Sequence, residues 1–409
     1  MMSLPIEKVS VHAAYTMDEE SYQFFLKYQH EDIAALSLQL KPNTQQKALF
    51  QQIAHRQKIA HKLPSFYKEK QVYYPPQLSL EQCSSEKTAY FKSTLFTGNT
   101  FIDLTAGMGV DSLYFSKHFQ KGIMIEANKS LAEITSHNLA LLSDLQSLYI
   151  AKGIRAADFL DLYTEKADLI YIDPSRRNEH GNKVFRLQDC EPDVISLLPA
   201  MFRISNNLLI KTSPLLDISL ACKSLKHVKD VYVVSLNNEC KELLFVLQNQ
   251  YEGDFQVHAV MLDTDKKFSF YAADEKKQTS TFSLPLNYLY EPDVSILKAG
   301  GFHAIQYQYP VYKLHVHSHL YTSQNLVSDF PGRVFKINAI VKPSKKELAN
   351  KWFDNQAKSG IKKAHITIRN FPASVAELRK KWDIAEGGSD YLFVTTLSNG
   401  DKAVLICSK

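Results

Sequence analysis

The sequence has few cysteines and lacks long apolar runs. The sequence contains no stretch of about 18 apolar residues, the length needed to span a bilayer. The first ten residues lack the basic stretch and apolar core of a secretory signal. The five cysteines are scattered, with no pair two residues apart: Cys83, Cys190, Cys222, Cys240 and Cys407. This spacing argues against a disulfide framework and a thiolate zinc site. We therefore expect a cytoplasmic protein with reduced thiols and no membrane association.

The chain as a whole has no large excess of positive or negative charge, because its net charge is only +5 over 409 residues. The charge is unevenly spread, because residues 331–409 hold 15 Lys and Arg against seven Asp and Glu. A basic segment of this kind can attract a polyanion, although a solvated lysine-rich surface would have the same composition. The chain length predicts two or more domains.

The pattern of apolar residues changes along the chain. Residues 18–70 predict helices, because apolar side chains recur about one helical turn apart, and Pro75-Pro76 marks a linker. From Thr100 onward, short apolar runs alternate with helical stretches, which predicts a parallel sheet with crossover connections. The candidate strands are Phe101–Leu104, Ile123–Ile125, Leu148–Ile150, Leu169–Ile172 and Leu208–Ile210.

The next two apolar runs, Val228–Ser235 and Leu243–Leu247, are separated by a polar turn too short for a helix. They predict a hairpin, so one strand of the sheet runs antiparallel to its neighbour. Short strands are expected beyond it, and a last α+β segment starts near Val334. These strand candidates are Phe268–Tyr271, Leu314–Val316, Ile366–Arg369 and Leu392–Thr395.

A glycine turn follows the first of the parallel strands. Residues 101–111 read F-I-D-L-T-A-G-M-G-V-D, a strand that enters a turn and then a helix. The glycines let the backbone approach a ligand at the carboxyl end of the strand. Glu126 ends the next strand, 19 residues after Gly107, where its carboxylate can accept hydrogen bonds from ribose hydroxyls. Asp158 follows the third strand, where it can meet an adenine edge.

These features are shared by dinucleotide-binding and S-adenosylmethionine-binding proteins. A dinucleotide turn has a third small residue, G-x-G-x-x-G, whereas Ser112 stands at that position here. Asp111 beside it would repel pyrophosphate, whereas a sulfonium is cationic. The acidic turn that carries Asp103 and Asp111 therefore favours S-adenosylmethionine over NAD.

The chain resembles the bacterial class I S-adenosylmethionine-dependent methyltransferases that have a THUMP-like C-terminal domain. The resemblance rests on the glycine turn and on motifs that extend over most of the chain: Glu81–Glu86, Thr88–Lys92, Asp173–Arg177, Asn238–Leu244 and Arg369–Pro372. It implies an α/β fold with a Rossmann-like seven-stranded methyltransferase sheet, an N-terminal helical region and a C-terminal α+β THUMP-like domain. The implied boundaries are 1–75 (helical region), 76–250 (methyltransferase domain), 280–325 (small ferredoxin-like insert) and 331–409 (THUMP-like, RNA-binding).

The resemblance also implies roles for individual residues. The cofactor S-adenosyl-L-methionine would contact the turn, the ribose acid and the adenine region: Asp103, Thr105, Ala106, Gly107, Met108, Gly109, Glu126, Ala127, Asp158 and Phe159. Asp173-Pro174 matches the start of the D-P-P-Y motif of amino methyltransferases, so Asp173, Pro174, Ser175 and Arg176 are the candidate catalytic residues. Ser175 and Arg176 depart from that motif, because they replace its second proline and its aromatic residue.

Methyl transfer from a sulfonium mainly requires proximity and orientation of the acceptor. Asp173 could accept a hydrogen bond from an exocyclic amine of RNA, or it could only cap a strand end. Transfer to a pyrimidine carbon would need a cysteine nucleophile, and neither Cys190 nor Cys240 follows the Asp-Pro pair at close range. Alternating His315, His317 and His319 would share one face of a strand, which suggests either a metal site or an ordinary packed strand.

We therefore predict an RNA methyltransferase that uses S-adenosylmethionine, without an obligate protein partner or a metal. Three alternatives stay open: a non-catalytic protein that binds S-adenosylmethionine or RNA, a small-molecule methyltransferase, and an NAD-linked oxidoreductase.

Overall fold

The computed structural model describes residues 4–40, 42–175, 187–353 and 362–409. The chain divides into two compact units. The first unit comprises Met1–Asp230 and Glu242–Gly253, and the second unit comprises Val231–Lys241 and Asp254–Lys409. Within the described ranges, no helix is both long enough and apolar enough to cross a membrane.

The first unit begins with the helices predicted from the apolar spacing of residues 18–70. Local signals start two of them: Asp18 caps the first, and Asn43 and Gln46 form a capping box on the third. Their apolar sides share a core that contains Phe25 and Phe50. The helices are α1 (Glu19–Tyr28), α2 (Ile33–Leu40), α3 (Thr44–Ile59), α4 (Pro64–Lys68), α5 (Gln77–Gln82) and α6 (Glu86–Ser93).

A sheet follows, in which every predicted strand from 101 to 247 is present. Its strands are β1 (Ile6–Lys8), β2 (Gly98–Asp103), β3 (Phe119–Glu126), β4 (Leu148–Lys152), β5 (Leu169–Ile172), β6 (Asn207–Thr212), β7 (Val228–Leu236) and β8 (Glu239–Gln248). Those of the first unit lie in the order β1-β4-β3-β2-β5-β6-β8, whereas most of β7 belongs to the second unit. The short strand β1, which the sequence did not predict, pairs antiparallel with β4.

The neighbours from β4 to β6 are parallel, whereas β8 runs antiparallel to β6 as the hairpin predicted. Helices connect the parallel strands: α7 (Val110–Phe115), α8 (Lys129–Leu142), α9 (Ala156–Leu162), α10 (Val194–Ile204) and α11 (Ile218–Ser224). All four residues of β5 are buried, as expected for a strand covered by helices on both faces. The strand order reverses at β2, so β2 and its neighbours β3 and β5 end where open α/β sheets bind ligands.

The second unit contains the hairpin β9 (Gln256–Met261) and β10 (Lys266–Tyr271) and a seven-stranded sheet. The strands of this sheet are β11 (Tyr288–Pro292), β12 (Tyr312–Lys313), β13 (Tyr321–Ser323), β14 (Gly332–Val341), β15 (His365–Arg369), β16 (Asp390–Thr396) and β17 (Lys402–Ser408). They lie in the order β12-β13-β11-β14-β17-β16-β15. The strands of residues 288–323 and those of residues 332–408 therefore share one sheet.

Helices of this unit are α12 (Ala272–Lys277), α13 (Val294–Ala299), α14 (Ala304–Gln308), α15 (Lys345–Leu348) and α16 (Val375–Trp382). Alternate residues of β16 and β17 enter two separate apolar clusters, because successive side chains of a strand point to opposite faces. Leu392 packs with Trp382 of α16 in one cluster, and Phe393 packs with Phe335 in the other. The sheet is thus buried on both faces in this region.

The prediction of a strand over Leu314–Val316 is wrong. Strand β12 ends at Lys313, and His315, His317 and His319 lie on a turn in which His319 has a left-handed backbone, with φ 51°. The turn forms because the backbone N–H of His317 donates to His315 Nδ1 over 3.1 Å, and Ser318 Oγ donates to the carbonyl oxygen of His315. The three histidines therefore do not share a strand face. Within the described residues, no group of three or more His, Cys, Asp or Glu side chains is arranged to hold a metal ion.

Candidate functional site

The glycine turn joins β2 to α7 at the carboxyl edge of the sheet in the first unit. Gly107 and Gly109 have φ values of 54° and 74°, in the left-handed region that favours glycine. A Cβ atom on Gly109 would lie only 2.8 Å from Leu139 Cδ1 and 2.9 Å from Thr135 Cγ2. Any larger residue at Gly109 would therefore strain the turn and push it away from α8.

Asp103 ends β2 and braces this turn from within. Its carboxylate accepts hydrogen bonds from Ser112 Oγ over 2.6 Å and from the backbone N–H of Thr105 over 3.0 Å. Burial raises the pKa of Asp103 to about 7, although both hydrogen bonds act to lower it. The side chain is almost wholly buried, so it stabilises the turn rather than facing a ligand.

Glu126 ends β3 and lies against the same turn. Glu126 Oε2 accepts from the backbone N–H of Gly107 over 2.9 Å, and Oε1 accepts from that of Asn128 over 2.8 Å. Burial raises the pKa of Glu126, and these backbone hydrogen bonds act in the opposite direction. A carboxylate offers about four lone-pair positions. Lone pairs that these backbone groups leave free can accept hydrogen bonds from ribose hydroxyls.

Three other predicted cofactor residues follow β3 and β4. Ala127 is exposed just beyond β3, and Asp158 is exposed in the first turn of α9 after β4. Phe159 is fully buried and stacks on Tyr163 with ring centroids 5.0 Å apart, so its side chain belongs to the core. Because β3 and β4 are parallel neighbours, Glu126 and Asp158 follow adjacent strand ends. Thr105 and Gly107 are partly exposed in the turn, whereas Ala106 and Met108 are buried.

The Asp-Pro motif follows β5, next to β2. The backbone N–H of Asp173 donates to Thr105 Oγ1 over 2.7 Å, which fixes the motif to the glycine turn. The carboxylate of Asp173 forms an ion pair with the ammonium group of Lys211 on β6. Ser175 exchanges two backbone hydrogen bonds with Glu191, and Pro174 lines a small apolar cavity with Leu187 and Cys190 among others. Arg176 lies outside the described residues.

Asp111 does not present a free negative charge to the ligand edge. Its carboxylate accepts from Tyr171 Oη over 2.7 Å and from Ser84 Oγ over 2.9 Å, and Lys92 Nζ lies 3.2 Å away. Burial alone would raise the pKa of Asp111, but the ammonium groups of Lys92 and Lys211 lower it below its ordinary value. Asp111, expected from the sequence to repel pyrophosphate, is therefore compensated within the protein and gives no reason to exclude NAD.

The structure adds a buried charged network that sequence reasoning missed. Lys92 Nζ on α6 lies 2.7 Å from both carboxylate oxygens of Glu242 on β8 and 3.1 Å from Ser84 Oγ. Lys92 and Glu242 are 0% and 3% exposed. The carboxylates of Asp173, Asp111 and Glu242 raise the pKa of Lys211, although burial alone would lower it. The one sequence signal was Lys211 itself, a charged residue that directly follows the apolar run Leu208–Ile210.

Comparisons with known proteins agree with this architecture. The solved structure described as "putative methyltransferase from Porphyromonas gingivalis W83" is 31% identical, covers 96% of this chain and 99% of that chain, and has a TM-score of 0.82. A ferredoxin-like domain model matches residues 288–331, and a THUMP domain-like model matches residues 332–409. No curated protein matches the chain.

Other solved structures share only part of the chain. A "putative RNA methyltransferase" from Pyrococcus horikoshii is 17% identical, covers 38% of this chain and 74% of that chain, and has a TM-score of 0.26. TrmK of M. capricolum, solved with S-adenosyl-homocysteine, is 9% identical, covers 40% of this chain and 68% of that chain, and has a TM-score of 0.32. The Porphyromonas match extends over nearly the full length of both chains, and with the THUMP-like match it shows that the chain belongs to the bacterial class I S-adenosylmethionine-dependent methyltransferases that have a THUMP-like C-terminal domain.

Proposed function

We propose that this protein transfers a methyl group from S-adenosylmethionine to RNA, with the acceptor held at Asp173. The observation that carries the proposal is the link between three adjacent strand ends. The glycine turn after β2 is hydrogen-bonded to Glu126 of β3 through Gly107 and to Asp173 after β5 through Thr105. Donor and acceptor groups can therefore meet at one rigid edge of the sheet, as in-line transfer requires.

The cofactor part of the proposal uses the predicted residues around this edge. Glu126 keeps lone pairs for the ribose, and the backbone of the turn can approach the methionine moiety because Gly107 has no side chain. Asp158 and Ala127 are exposed after adjacent strands, where the adenine would lie. Family membership, and not the charge of Asp111, favours S-adenosylmethionine over NAD. Binding of the demethylated product but not NAD, measured by calorimetry, is the expected result; NAD binding alone would overturn it.

The acceptor part rests on Asp173, Pro174, Ser175 and Arg176. An acceptor with a hydrogen to donate can bind the carboxylate of Asp173, and an exocyclic base amine meets this requirement, as the sequence predicted. A pyrimidine carbon acceptor would still need a cysteine nucleophile. Cys190 lies next to Pro174 but is buried, so its thiol is poorly placed to attack a base.

The RNA part rests on the basic C-terminal segment and its THUMP-like match. Exposed lysines of this segment include Lys345, Lys346, Lys363, Lys380 and Lys381. Two arginines of the segment are engaged within the protein: Arg369 pairs with Glu291, and Arg379 pairs with Glu386. The proposed phosphate contacts are therefore made by lysines rather than by these arginines.

The deciding experiment uses the full chain, labelled S-adenosylmethionine and total RNA from cells that lack the gene. Label in RNA, mapped by nuclease digestion and mass spectrometry, is expected for the wild type. Asp144→Asn, an exposed change in the same unit, serves as the matched control for Asp173→Asn. Cofactor binding without transfer to RNA would favour a non-catalytic binding protein, and transfer to a small-molecule fraction would favour the third alternative.

A further inference from the structure

The ammonium group of Lys211 lies directly on the carboxylate proposed to hold the methyl acceptor. Lys211 follows the apolar part of β6 and is 9% exposed, and its Nζ is paired with Asp173 Oδ2. In the part of the chain that the structure describes, it donates to no other group. Asp173 Oδ1 likewise has no hydrogen-bond partner among residues 4–40, 42–175, 187–353 and 362–409. The pair thus offers one cationic donor and one anionic acceptor side by side.

The surrounding network keeps this lysine charged and in place. Asp111 and Glu242 act electrostatically on Lys211 in addition to Asp173, so three carboxylates face two ammonium groups in the cluster. Lys92 holds Glu242 through both of its carboxylate oxygens and also contacts Ser84. Lys92 and Glu242 are buried and cannot touch a substrate, so they are positioning residues. Asp173 reaches the ligand edge, since its side chain is 33% exposed, and the ammonium group of Lys211 lies directly behind it as its ion-pair partner.

This pairing fits a hydroxyl acceptor better than an amine. A hydroxyl oxygen has one hydrogen to donate and two lone pairs. The hydrogen can be donated to Asp173, one lone pair can accept from Lys211, and the other remains for the methyl group. An exocyclic amine has hydrogens to donate but no good acceptor lone pair, so the N–H groups of Lys211 that do not point to Asp173 would gain no partner from it. A buried donor left unpaired is unfavourable.

The charge that develops during transfer leads to the same choice. An amine acquires positive charge as it forms its new bond to carbon, which the adjacent ammonium group disfavours. A hydroxyl is a weak nucleophile that gains from partial loss of its proton, and a fixed cation stabilises the negative charge on that oxygen. Lys211 therefore selects against an amine and activates a hydroxyl.

We infer that the acceptor is a hydroxyl group, the ribose 2′-hydroxyl of RNA, bound between Asp173 and Lys211. The inference rests on the proposed function and replaces its base amine with a sugar oxygen. The hydroxyl oxygen forms a bond to the methyl carbon while the carbon–sulfur bond of the sulfonium breaks and its electron pair stays on sulfur. The hydroxyl proton passes to the Asp173 carboxylate and then to water. The 2′-hydroxyl is also the group that distinguishes RNA from DNA.

The test uses wild-type enzyme and S-adenosylmethionine with a labelled methyl group, and it locates the label in the RNA after alkaline hydrolysis. Alkaline cleavage of RNA needs a free 2′-hydroxyl next to the phosphate, so a 2′-O-methylated nucleotide survives in an alkali-stable dinucleotide. We expect the label in that fraction. A nucleotide methylated on its base is released by alkali as a mononucleotide. Label in the mononucleotide fraction would therefore overturn the hydroxyl inference but would still support an RNA methyltransferase. Absence of any label from RNA would overturn the proposed function, and the inference with it.

Variants give an independent readout. Lys211→Met removes the cationic donor, and transfer to RNA is expected to fall by roughly 10²- to 10³-fold, as for loss of one donor to a developing oxyanion. Its affinity for S-adenosyl-homocysteine, measured by calorimetry, is expected to stay within about twofold of wild type. Lys229→Met, an exposed lysine change in the same unit, is the matched control and is expected to alter neither quantity. Transfer by a folded Lys211→Met protein at the wild-type rate would contradict the role of Lys211.

Discussion

Replacing Lys92 by Met is expected to destabilise the first unit strongly. Lys92 is fully buried, and its ammonium group lies 2.7 Å from both oxygens of Glu242 and 3.2 Å from Asp111. Methionine fills a similar volume but leaves both carboxylates without this cation. Removing one partner of a buried ion pair destabilises a protein by about 3–5 kcal/mol. We expect a loss in this range for Lys92→Met.

The loss is also expected to depend on pH. Burial raises the pKa of Glu242 above its ordinary 4.5, and the positive charge of Lys92 is the largest effect that lowers it again. In Lys92→Met the pKa is raised further, so the folded state binds more protons than the unfolded state between 4.5 and the raised value. Stability therefore decreases as the pH rises through this window. The difference between wild type and variant should be smaller at pH 5 than at pH 8.

Hydrogen exchange followed by mass spectrometry measures this effect locally, in peptides that contain β2, β5 and β6. The matched control is Lys87→Met, because Lys87 lies on the same helix, α6, and is exposed. Exposed substitutions of this kind usually change stability by less than about 0.5 kcal/mol. If these strands were protected from hydrogen exchange equally well in Lys92→Met and in Lys87→Met, the buried ion pair would not stabilise the unit, and the reasoning would be refuted.

Four further results are expected. Glu126→Ala should weaken binding of S-adenosyl-homocysteine by about 1.5–3 kcal/mol in calorimetry, because charge-assisted hydrogen bonds to the ribose are lost; unchanged affinity would place the ribose elsewhere. Asp173→Asn should keep cofactor affinity while transfer falls by roughly 10²-fold or more, and wild-type turnover would reduce the motif to a structural turn. Four exposed lysines can be changed to Gln together: Lys345, Lys346, Lys380 and Lys381. The slope of log affinity for single-stranded RNA against log salt should then become less steep by about 0.7 for each phosphate contact that is lost. A slope identical to that of wild type would show that these side chains do not contact RNA. Burial lowers the pKa of His319 to about 4, so the folded state binds fewer protons than the unfolded state between pH 6.5 and 4, and stability should fall as the pH drops through this window. His319→Asn, which suits the left-handed backbone, should flatten that dependence in thermal melts, and a curve like that of wild type would count against the assignment.

The parts of the site that the sequence predicted are local. A buried strand followed by a glycine turn, an acid at the end of the next strand and an Asp-Pro pair after a later strand all lie within a few residues of a recognisable pattern. Parallel topology then brings Gly107, Glu126 and Asp173 to one edge without further information. The fold class of the first unit followed from the same periodicity.

The parts that it did not predict depend on long-range contacts. Lys92 and Glu242 are 150 residues apart, and only the three-dimensional packing of α6 and β8 shows that they pair. The same is true of Asp111, whose charge looked free in the sequence and is compensated in the structure. The histidines at 315, 317 and 319 alternate like strand residues, but the hydrogen bonds of their own side chains and backbone favour a turn.

The strand order of the second unit has a consequence for its synthesis. Strand β17 lies between β14 and β16, although it is made after every other strand of that sheet. Without β17, no strand pairing among the described residues joins the fragment β12-β13-β11-β14 to the pair β16-β15. Exposed strand edges of this kind are prone to pair with other chains. The second unit is therefore exposed to aggregation until β17 is inserted, and loss of this strand would damage the whole sheet rather than its edge.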